Sequence, residues 1–167
     1  MIDGPMGAGK TTTADLMRAK LSNSIVVGIC RIKWLISGFS CNKKEYKIAT
    51  DIILTICQRY LHYRKTIIIE QCFRKKNIMS PYLALAKKNH LPIFIYELHA
   101  PKKVLLNRIK QRPKNHIKLN QISRAKILKN IDSYPHPVYA PVRIYFDTQK
   151  LSARKVCNAI IKDIQSA

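Results

Sequence analysis

The residues between positions 4 and 11 are suited to holding a phosphate group. They read Gly-Pro-Met-Gly-Ala-Gly-Lys-Thr and match the spacing G-x-x-x-x-G-K-[ST]. Glycines permit the tight turns that point successive backbone N–H groups at a phosphate, and Lys10 supplies a cation that reaches the outer phosphates. Thr11 offers a hydroxyl to a magnesium ion that bridges them. The segment therefore predicts a phosphate-binding loop; the alternative is a glycine-rich turn that binds nothing.

A helix is predicted directly after this loop. Positions 12–21 carry Ala14, Met17 and Leu21 near one face of a helical period. The N-terminus of such a helix adds the positive end of its dipole to the loop amides. We expect nucleotide contacts from Gly4, Met6, Gly7, Ala8, Gly9, Lys10, Thr11 and Thr12.

Glu70 is the best candidate for a catalytic carboxylate, because it follows three isoleucines of a predicted strand. A charge at the end of a buried strand is expensive unless it emerges into a polar site. Beside a phosphate loop, Glu70 would orient magnesium-bound water or take a proton from an attacking hydroxyl. The alternative is a simple ion pair with Arg74 or Lys75. We expect Thr11 and Glu70 to hold a metal, and Lys10 and Glu70 to be catalytic.

Two arginines form a second candidate group. Arg108 and Arg112 lie four residues apart, and so on one face of a predicted helix over 101–112 and its exit. Guanidinium groups near a transferring phosphate stabilise the charge of the transition state. Such a pair also arises easily in a basic chain. We expect Arg108 to contact the nucleotide and Arg112 to be catalytic.

Strands and helices alternate along the whole chain, which is typical of a parallel sheet with helices on both faces. Further strands are predicted over 24–30, 66–70, 91–98 and 142–147, and further helices over 31–37, 45–64, 81–89, 121–133 and 152–165. The strand before the loop is a stub, Met1-Ile2, which fits either a shortened form of a longer product or a sheet built around few residues. One domain over 1–167 is expected.

Ligands of parallel sheets bind at the carboxyl ends of the strands. The residues predicted there are Asp3, Cys30, Glu70, His99 and Asp147. Asp3 either pairs with Lys10 or Thr11, approaches the substrate, or is purely structural. Arg31 either binds the acceptor of the phosphate or is an ordinary surface cation.

The chain is strongly basic, with 31 Lys and Arg against 9 Asp and Glu and a formal net charge of +22. Such a charge attracts polyanions, including nonspecific nucleic acid. The alternative is a compositional bias, because the cations are spread over every segment.

Five scattered cysteines without a C-x-x-C pair indicate reduced thiols of a cytoplasmic protein, and no apolar run is long enough to span a membrane.

The chain resembles the P-loop kinases, a group within the AAA and nucleoside-kinase-like P-loop NTPases. Its members include nucleoside monophosphate kinases, polynucleotide kinases and zeta-toxin-like kinases. The resemblance is carried by Ile2-Asp3-Gly4 through Thr11, by the strand 66–70, by the basic segment around 107–116, and by Phe146-Asp147-Thr148.

The resemblance implies a three-layer α/β/α fold with a five-stranded parallel sheet in the order 2-3-1-4-5 and a first strand shortened at the N-terminus. It implies ATP and Mg²⁺ as cofactors, with Lys10 and Thr11 in the phosphate loop, Glu70 as the second acidic position, and Arg112 in a basic lid around 107–116. Cys30 departs from the pattern, because many relatives that resemble polynucleotide kinase carry an aspartate at the tip of the second strand.

Three functions fit these expectations. The first is a kinase that transfers the γ-phosphate of ATP to a small-molecule or nucleotide acceptor. The second is an ATP-binding protein without catalysis. The third is a polynucleotide 5′-hydroxyl kinase or RNA-binding protein. The sequence does not distinguish the acceptor or the oligomeric state.

Overall fold

The computed structural model of the protein describes residues 1–37, 42–73, 75–112, 123–134 and 142–167. The strands are β1 (Ile2–Asp3), β2 (Ser24–Val27), β3 (Thr66–Ile69), β4 (Tyr96–His99) and β5 (Ile144–Asp147). The helices are α1 (Lys10–Lys20), α2 (Ile29–Ile32), α3 (Lys43–His62), α4 (Lys76–Lys88), α5 (Lys102–Lys110), α6 (Arg124–Asp132) and α7 (Ala153–Gln165), and a 3₁₀ turn spans Lys33–Leu35.

All strand pairings in the described residues are parallel. β1 pairs with β4 and β4 with β5, giving a three-stranded sheet in the order β1-β4-β5, while β2 and β3 form a two-stranded sheet. A single bridge between Ile2 and Glu70 lies between the two sheets, and the Gln71 amide donates to the Ile2 carbonyl over 3.2 Å. The α/β class is therefore confirmed, whereas one continuous five-stranded sheet stays a prediction.

The strands bury alternate side chains in two hydrophobic clusters, as expected for a sheet covered on both faces. In β3, Ile68 belongs to a cluster with Met17 of α1 and Val156 of α7, while its neighbour Ile69 belongs to a cluster with Ile53 of α3. The helices thus hold the carboxyl ends of the strands, and the residues that follow them, in fixed positions.

Several element bounds differ from the sequence prediction. β2 ends at Val27, so Cys30 is an exposed residue of α2 and not the tip of a strand. α4 begins at Lys76 and contains Pro81 in its interior, although proline favours the first turn. The helix therefore begins five residues before the start predicted at Pro81, and Met79, Tyr82 and Leu85 are buried along it. None of the helices in the described ranges is both long and apolar enough to cross a bilayer.

Candidate active site

The phosphate loop turns through glycines in backbone conformations that other residues rarely adopt. Gly4, Gly7 and Gly9 have φ of 142°, 89° and 96°. A Cβ on Gly4 would lie 2.2 Å from the carbonyl oxygen of Leu98 in β4, so only glycine fits between the two chain segments. Gly9 then precedes α1, whose first turn has no acidic residue to oppose a bound anion. The turn lies where the sequence predicts the loop, whereas α1 begins at Lys10, two residues before the start of the helix predicted over 12–21.

Lys10 folds back over the loop that precedes it. Its Nζ donates to the Gly4 carbonyl over 2.8 Å and to the Pro5 carbonyl over 3.0 Å. Both acceptors are neutral oxygens, which hold an ammonium group less strongly than a charged acceptor does. The side chain is therefore held at the loop, in contacts that an anionic phosphate would outcompete.

Thr11 and Glu70 meet as the sequence predicts, although 59 residues separate them in the chain. The Thr11 hydroxyl donates to Glu70 Oε2 over 3.1 Å. Glu70 is only 3% exposed, and burial raises the pKa of its carboxyl group, while the charges of Lys10 and Arg31 oppose that rise. A hydroxyl and a carboxylate oxygen side by side are hard ligands that suit Mg²⁺.

Arg31 links Glu70 to a second carboxylate. Its Nε lies 3.4 Å from Glu70 Oε1, and its Nη2 donates to Asp15 Oδ1 over 2.9 Å. Glu70 therefore pairs with Arg31, and not with Lys75, which is exposed; Arg74 lies outside the described residues. Sequence reasoning left the role of Arg31 open and assigned none to Asp15.

Gly28 explains how β2 and β3 bring these groups together. A Cβ at this position would lie 2.1 Å from the Glu70 carbonyl oxygen, so the chain that leaves β2 presses against the backbone at the end of β3. α2 begins immediately afterwards and carries Arg31 over Glu70. In the sequence, this close approach is indicated by a glycine, Gly28, at the end of the β-branched run over 25–27.

The buried Asp3 side chain stabilises the start of the phosphate loop. Its Oδ1 accepts the amide of Gly4 over 2.6 Å and the amide of Phe73 over 2.9 Å, which joins the start of the loop to the segment that follows Glu70. Burial raises the pKa of the Asp3 carboxyl group, and these two amides oppose the rise. Of the roles considered for Asp3, the contacts show the structural one.

Arg108 contacts the loop, whereas Arg112 lies away from these contacts. Arg108 Nη1 donates to the Thr148 hydroxyl over 2.9 Å and reaches the Gly7 carbonyl at 3.4 Å, and its Nη2 donates to the Thr148 carbonyl over 2.5 Å. Arg112 is exposed just beyond α5. The predicted basic lid around 107–116 is described only as far as Arg112; positions 113–116 lie outside the described residues.

Asn130 is a loop contact that sequence reasoning missed. Its Oδ1 accepts the backbone amide of Met6 over 2.9 Å from α6, and its Nδ2 lies 3.9 Å from Cys72 Sγ. The Met6 amide, expected to contact the nucleotide, is thus engaged by α6. An asparagine in a helix carries no sequence signal for a partner 124 residues away.

A cavity of about 500 Å³ adjoins the loop at Pro5. Its walls include Glu97 and His99 of β4 and Tyr134, which follows α6. Burial raises the pKa of the Tyr134 hydroxyl, and the neighbouring carboxylates Asp3 and Glu97 raise it further. The volume is within the range of small-molecule sites.

No group of three or more His, Cys, Asp or Glu side chains forms a metal cluster in the described ranges. The candidate metal position is therefore the Thr11–Glu70 pair alone. Magnesium sites fit that pattern, because Mg²⁺ keeps several waters and is bound through one or two protein oxygens together with substrate phosphates.

Solved structures with this fold include several kinases. APS kinase CysC of Mycobacterium tuberculosis, solved with AMPPNP and APS, matches with a TM-score of 0.75 and 10% identity over 98% of this chain and 95% of that one. Shikimate kinase from Acinetobacter baumannii, solved with shikimate, matches with a TM-score of 0.57 and 21% identity over 99% of this chain and 91% of that one. Chaetomium thermophilum Kti12, solved with ADP-AlF3, matches with a TM-score of 0.70 and 14% identity over 99% of this chain and 96% of that one.

These likenesses establish a P-loop kinase-like fold. No curated protein matches the chain by sequence. Residues 1–137 do match a protein family described as an AAA domain, and this match covers the loop, Glu70, Arg108 and Asn130. The chain belongs to that AAA-domain family of P-loop nucleotide-binding proteins.

Proposed function

We propose that the protein is an ATP-dependent kinase that transfers the γ-phosphate of ATP to a small-molecule or nucleotide acceptor. The observation that carries the proposal is the contact between the Thr11 hydroxyl and the buried Glu70 carboxylate, at the start of α1 and next to Lys10. A loop that only bound phosphate would not need a costly buried carboxylate beside it.

The nucleotide would be held by the loop through its triphosphate. Lys10 Nζ exchanges the Gly4 and Pro5 carbonyls, at 2.8 and 3.0 Å, for phosphate oxygens, which are charged and therefore stronger acceptors. Backbone amides from Gly7 to Thr12 and the N-terminus of α1 supply the remaining donors, once the Ala8 amide has left the Pro5 carbonyl to which it donates over 3.2 Å. Arg108 borders the nucleotide, because it bridges the Gly7 carbonyl and Thr148.

Thr11 and Glu70 would hold Mg²⁺, which when bound neutralises charge on the phosphate oxygens. Separating their hydrogen bond frees the hydroxyl oxygen and the Oε2 oxygen for this role. Arg31 keeps Oε1 in place from the other side.

In the transfer step, the acceptor oxygen bonds to the γ-phosphorus as the bond from that phosphorus to the β–γ bridging oxygen breaks, and ADP leaves. The acceptor proton passes to Glu70, the buried carboxylate beside the loop. Arg112, at the described end of the basic lid, stabilises charge on the transferring group. Because Cys30 is a thiol on α2, the carboxylate that serves the acceptor is Glu70.

The same proposal includes a single domain over 1–167 with a lid around 107–116. It also includes the strand order 2-3-1-4-5, supported by the bridge between Ile2 and Glu70 that lies between the two observed sheets.

An acceptor panel tests this proposal. ADP release from Mg·ATP is followed with and without hydroxyl-bearing sugars, nucleosides, nucleoside monophosphates and a 5′-hydroxyl oligonucleotide. Release that increases only with one small-molecule acceptor supports the kinase. Labelled phosphate on the oligonucleotide identifies a polynucleotide kinase instead. ATP binding without ADP formation across the panel identifies a binding protein without turnover.

A further inference from the structure

An exposed group of aromatic and basic side chains lies at the carboxyl end of α3. It consists of Arg59, Tyr60, His62, Tyr63 and Arg64, and we refer to it as the aromatic–basic edge. Tyr63 is 54% exposed and Tyr60 is 37% exposed. Tyrosine rings that belonged to the core would be covered, so these two rings are free to contact a partner.

One ring of this edge, that of Tyr63, is paired with a cationic side chain. Arg59 Cζ lies 5.5 Å from the centre of the Tyr63 ring, in cation–π geometry. The His62 and Tyr63 rings meet edge to face, with centroids 5.4 Å apart. This arrangement holds the Tyr63 ring in place while half of its surface stays open to solvent, as a stacking platform requires.

The aromatic–basic edge lies at the opposite end of β3 from the phosphate loop. Asn23 Nδ2 donates to the Arg64 carbonyl over 3.0 Å, and the Thr66 amide donates to the Asn23 carbonyl, so this turn adjoins the start of β2. Glu70 follows the other end of β3, four strand residues and about 13 Å away at the rise of a strand. The edge is therefore separate from the candidate active site.

The sequence around this edge is positively charged. No acidic residue occurs between Asp51 and Glu70, and Glu70 is buried at the far end of the strand. Lys65 follows the edge directly, and Lys20 ends α1 beside the Asn23 turn. Cations near a helix carboxyl terminus are favourable for the helix itself, but that does not account for two exposed tyrosines among them.

We propose that the aromatic–basic edge binds single-stranded nucleic acid. Bases would stack on Tyr63 and Tyr60, and phosphates would contact Arg59, Arg64 and Lys65. Aromatic platforms flanked by cations bind single strands with little sequence preference, because every base has a stacking face. This binding is independent of the proposed kinase reaction.

Fluorescence anisotropy with a labelled oligothymidylate of about 12 nucleotides tests the proposal. Tyr63→Ala should raise the dissociation constant by about 10-fold, the loss expected for one stacked base. Tyr46→Ala is the matched control, because Tyr46 is 38% exposed on the same helix at its other end. It should change the constant by less than about 2-fold.

Two further measurements distinguish this site from the phosphate loop and from general attraction to polyanions. Arg59→Gln should reduce the slope of log K against log salt by about 0.7, the value for one single-strand phosphate contact. Lys10→Ala should bind the oligonucleotide as the unmodified protein does, because the phosphate loop takes no part. Equal losses from Tyr63→Ala and Tyr46→Ala would overturn the proposal, as would binding to vesicles of anionic phospholipid without binding to the oligonucleotide.

Discussion

The Thr11 hydroxyl and the Glu70 carboxylate form a 3.1 Å hydrogen bond between the first turn of α1 and the residue that follows the β3 strand. Arg31 and Asp15 extend this contact into a chain of alternating charges. Burying the Glu70 carboxylate costs stability, which its ion pair with Arg31 and its hydrogen bond from Thr11 offset only in part.

Replacing Glu70 by glutamine should abolish most transfer while leaving the fold intact. The amide keeps the shape and an oxygen for Thr11, but it cannot take a proton or supply a full charge to a metal. We expect the rate of transfer to fall by at least about 100-fold, the usual contribution of general base catalysis. Initial rates with the acceptor found in the panel measure this. Asp51→Asn, which removes an exposed carboxylate of α3, should leave the rate unchanged, and an active Glu70→Gln variant would exclude Glu70 as the base.

The raised pKa values of Glu70 and Asp3 predict how stability depends on pH. A carboxyl group whose pKa rises on folding holds its proton more tightly in the folded state. Its favourable contribution is present below its unfolded pKa and is lost as the pH rises through the folded pKa. Glu70→Gln should therefore flatten the decline in the free energy of unfolding as the pH rises from about 4. Urea unfolding over a pH series measures the slope, and a decline as steep as that of the unmodified protein would contradict the assignment.

Asp3 should be replaceable by asparagine but not by alanine. The asparagine side chain would keep an oxygen for the amides of Gly4 and Phe73, whereas alanine would leave both buried N–H groups without an acceptor. Each such group costs about 1–3 kcal/mol, so Asp3→Ala should lower the free energy of unfolding by roughly 2–6 kcal/mol. Urea titration compares the two variants. Equal losses for both would show that the charge of Asp3, and not its hydrogen bonds, matters.

Arg108 and Arg112 should affect different kinetic constants. Arg108→Ala removes the link between the Gly7 carbonyl and Thr148, and should raise KM for ATP by about 10- to 150-fold, corresponding to roughly one hydrogen bond to a charged group. Lysine should not rescue it, because two separate guanidinium nitrogens contact Thr148. Arg112→Ala should lower kcat instead. Identical effects of the two substitutions on both constants would contradict the roles assigned to them.

Much of the site was predictable because it depends on local spacing. Residues 4–11 have the spacing of a phosphate loop, and alternating strands and helices brought Glu70 to the same edge of the sheet as Thr11. Parallel topology places the carboxyl ends of the strands at one edge, and the bridge between Ile2 and Glu70 brings these two ends together. The sequence therefore predicts the α/β class and the proximity of Thr11 and Glu70.

What escaped prediction depends on contacts between distant segments. The end of β2 was placed three residues too late, because Ile29 and Cys30 continue an apolar run yet begin α2 once Gly28 packs against the Glu70 backbone. Asn130 is close to Met6 only because α6 packs across the loop. Neither packing contact produces a periodic pattern of apolar residues from which the sequence could have predicted it.

The most direct test of the account is calorimetric titration of the protein with Mg·ATP. The unmodified protein should bind, and Lys10→Ala should lose detectable binding, because the Lys10 ammonium group is the cation that the loop offers to phosphate oxygens. Lys88→Ala, which removes an exposed cation at the end of α4, is the matched control and should bind normally. Equal affinity of Lys10→Ala and the unmodified protein for Mg·ATP would contradict the assignment of residues 4–11 as the nucleotide site.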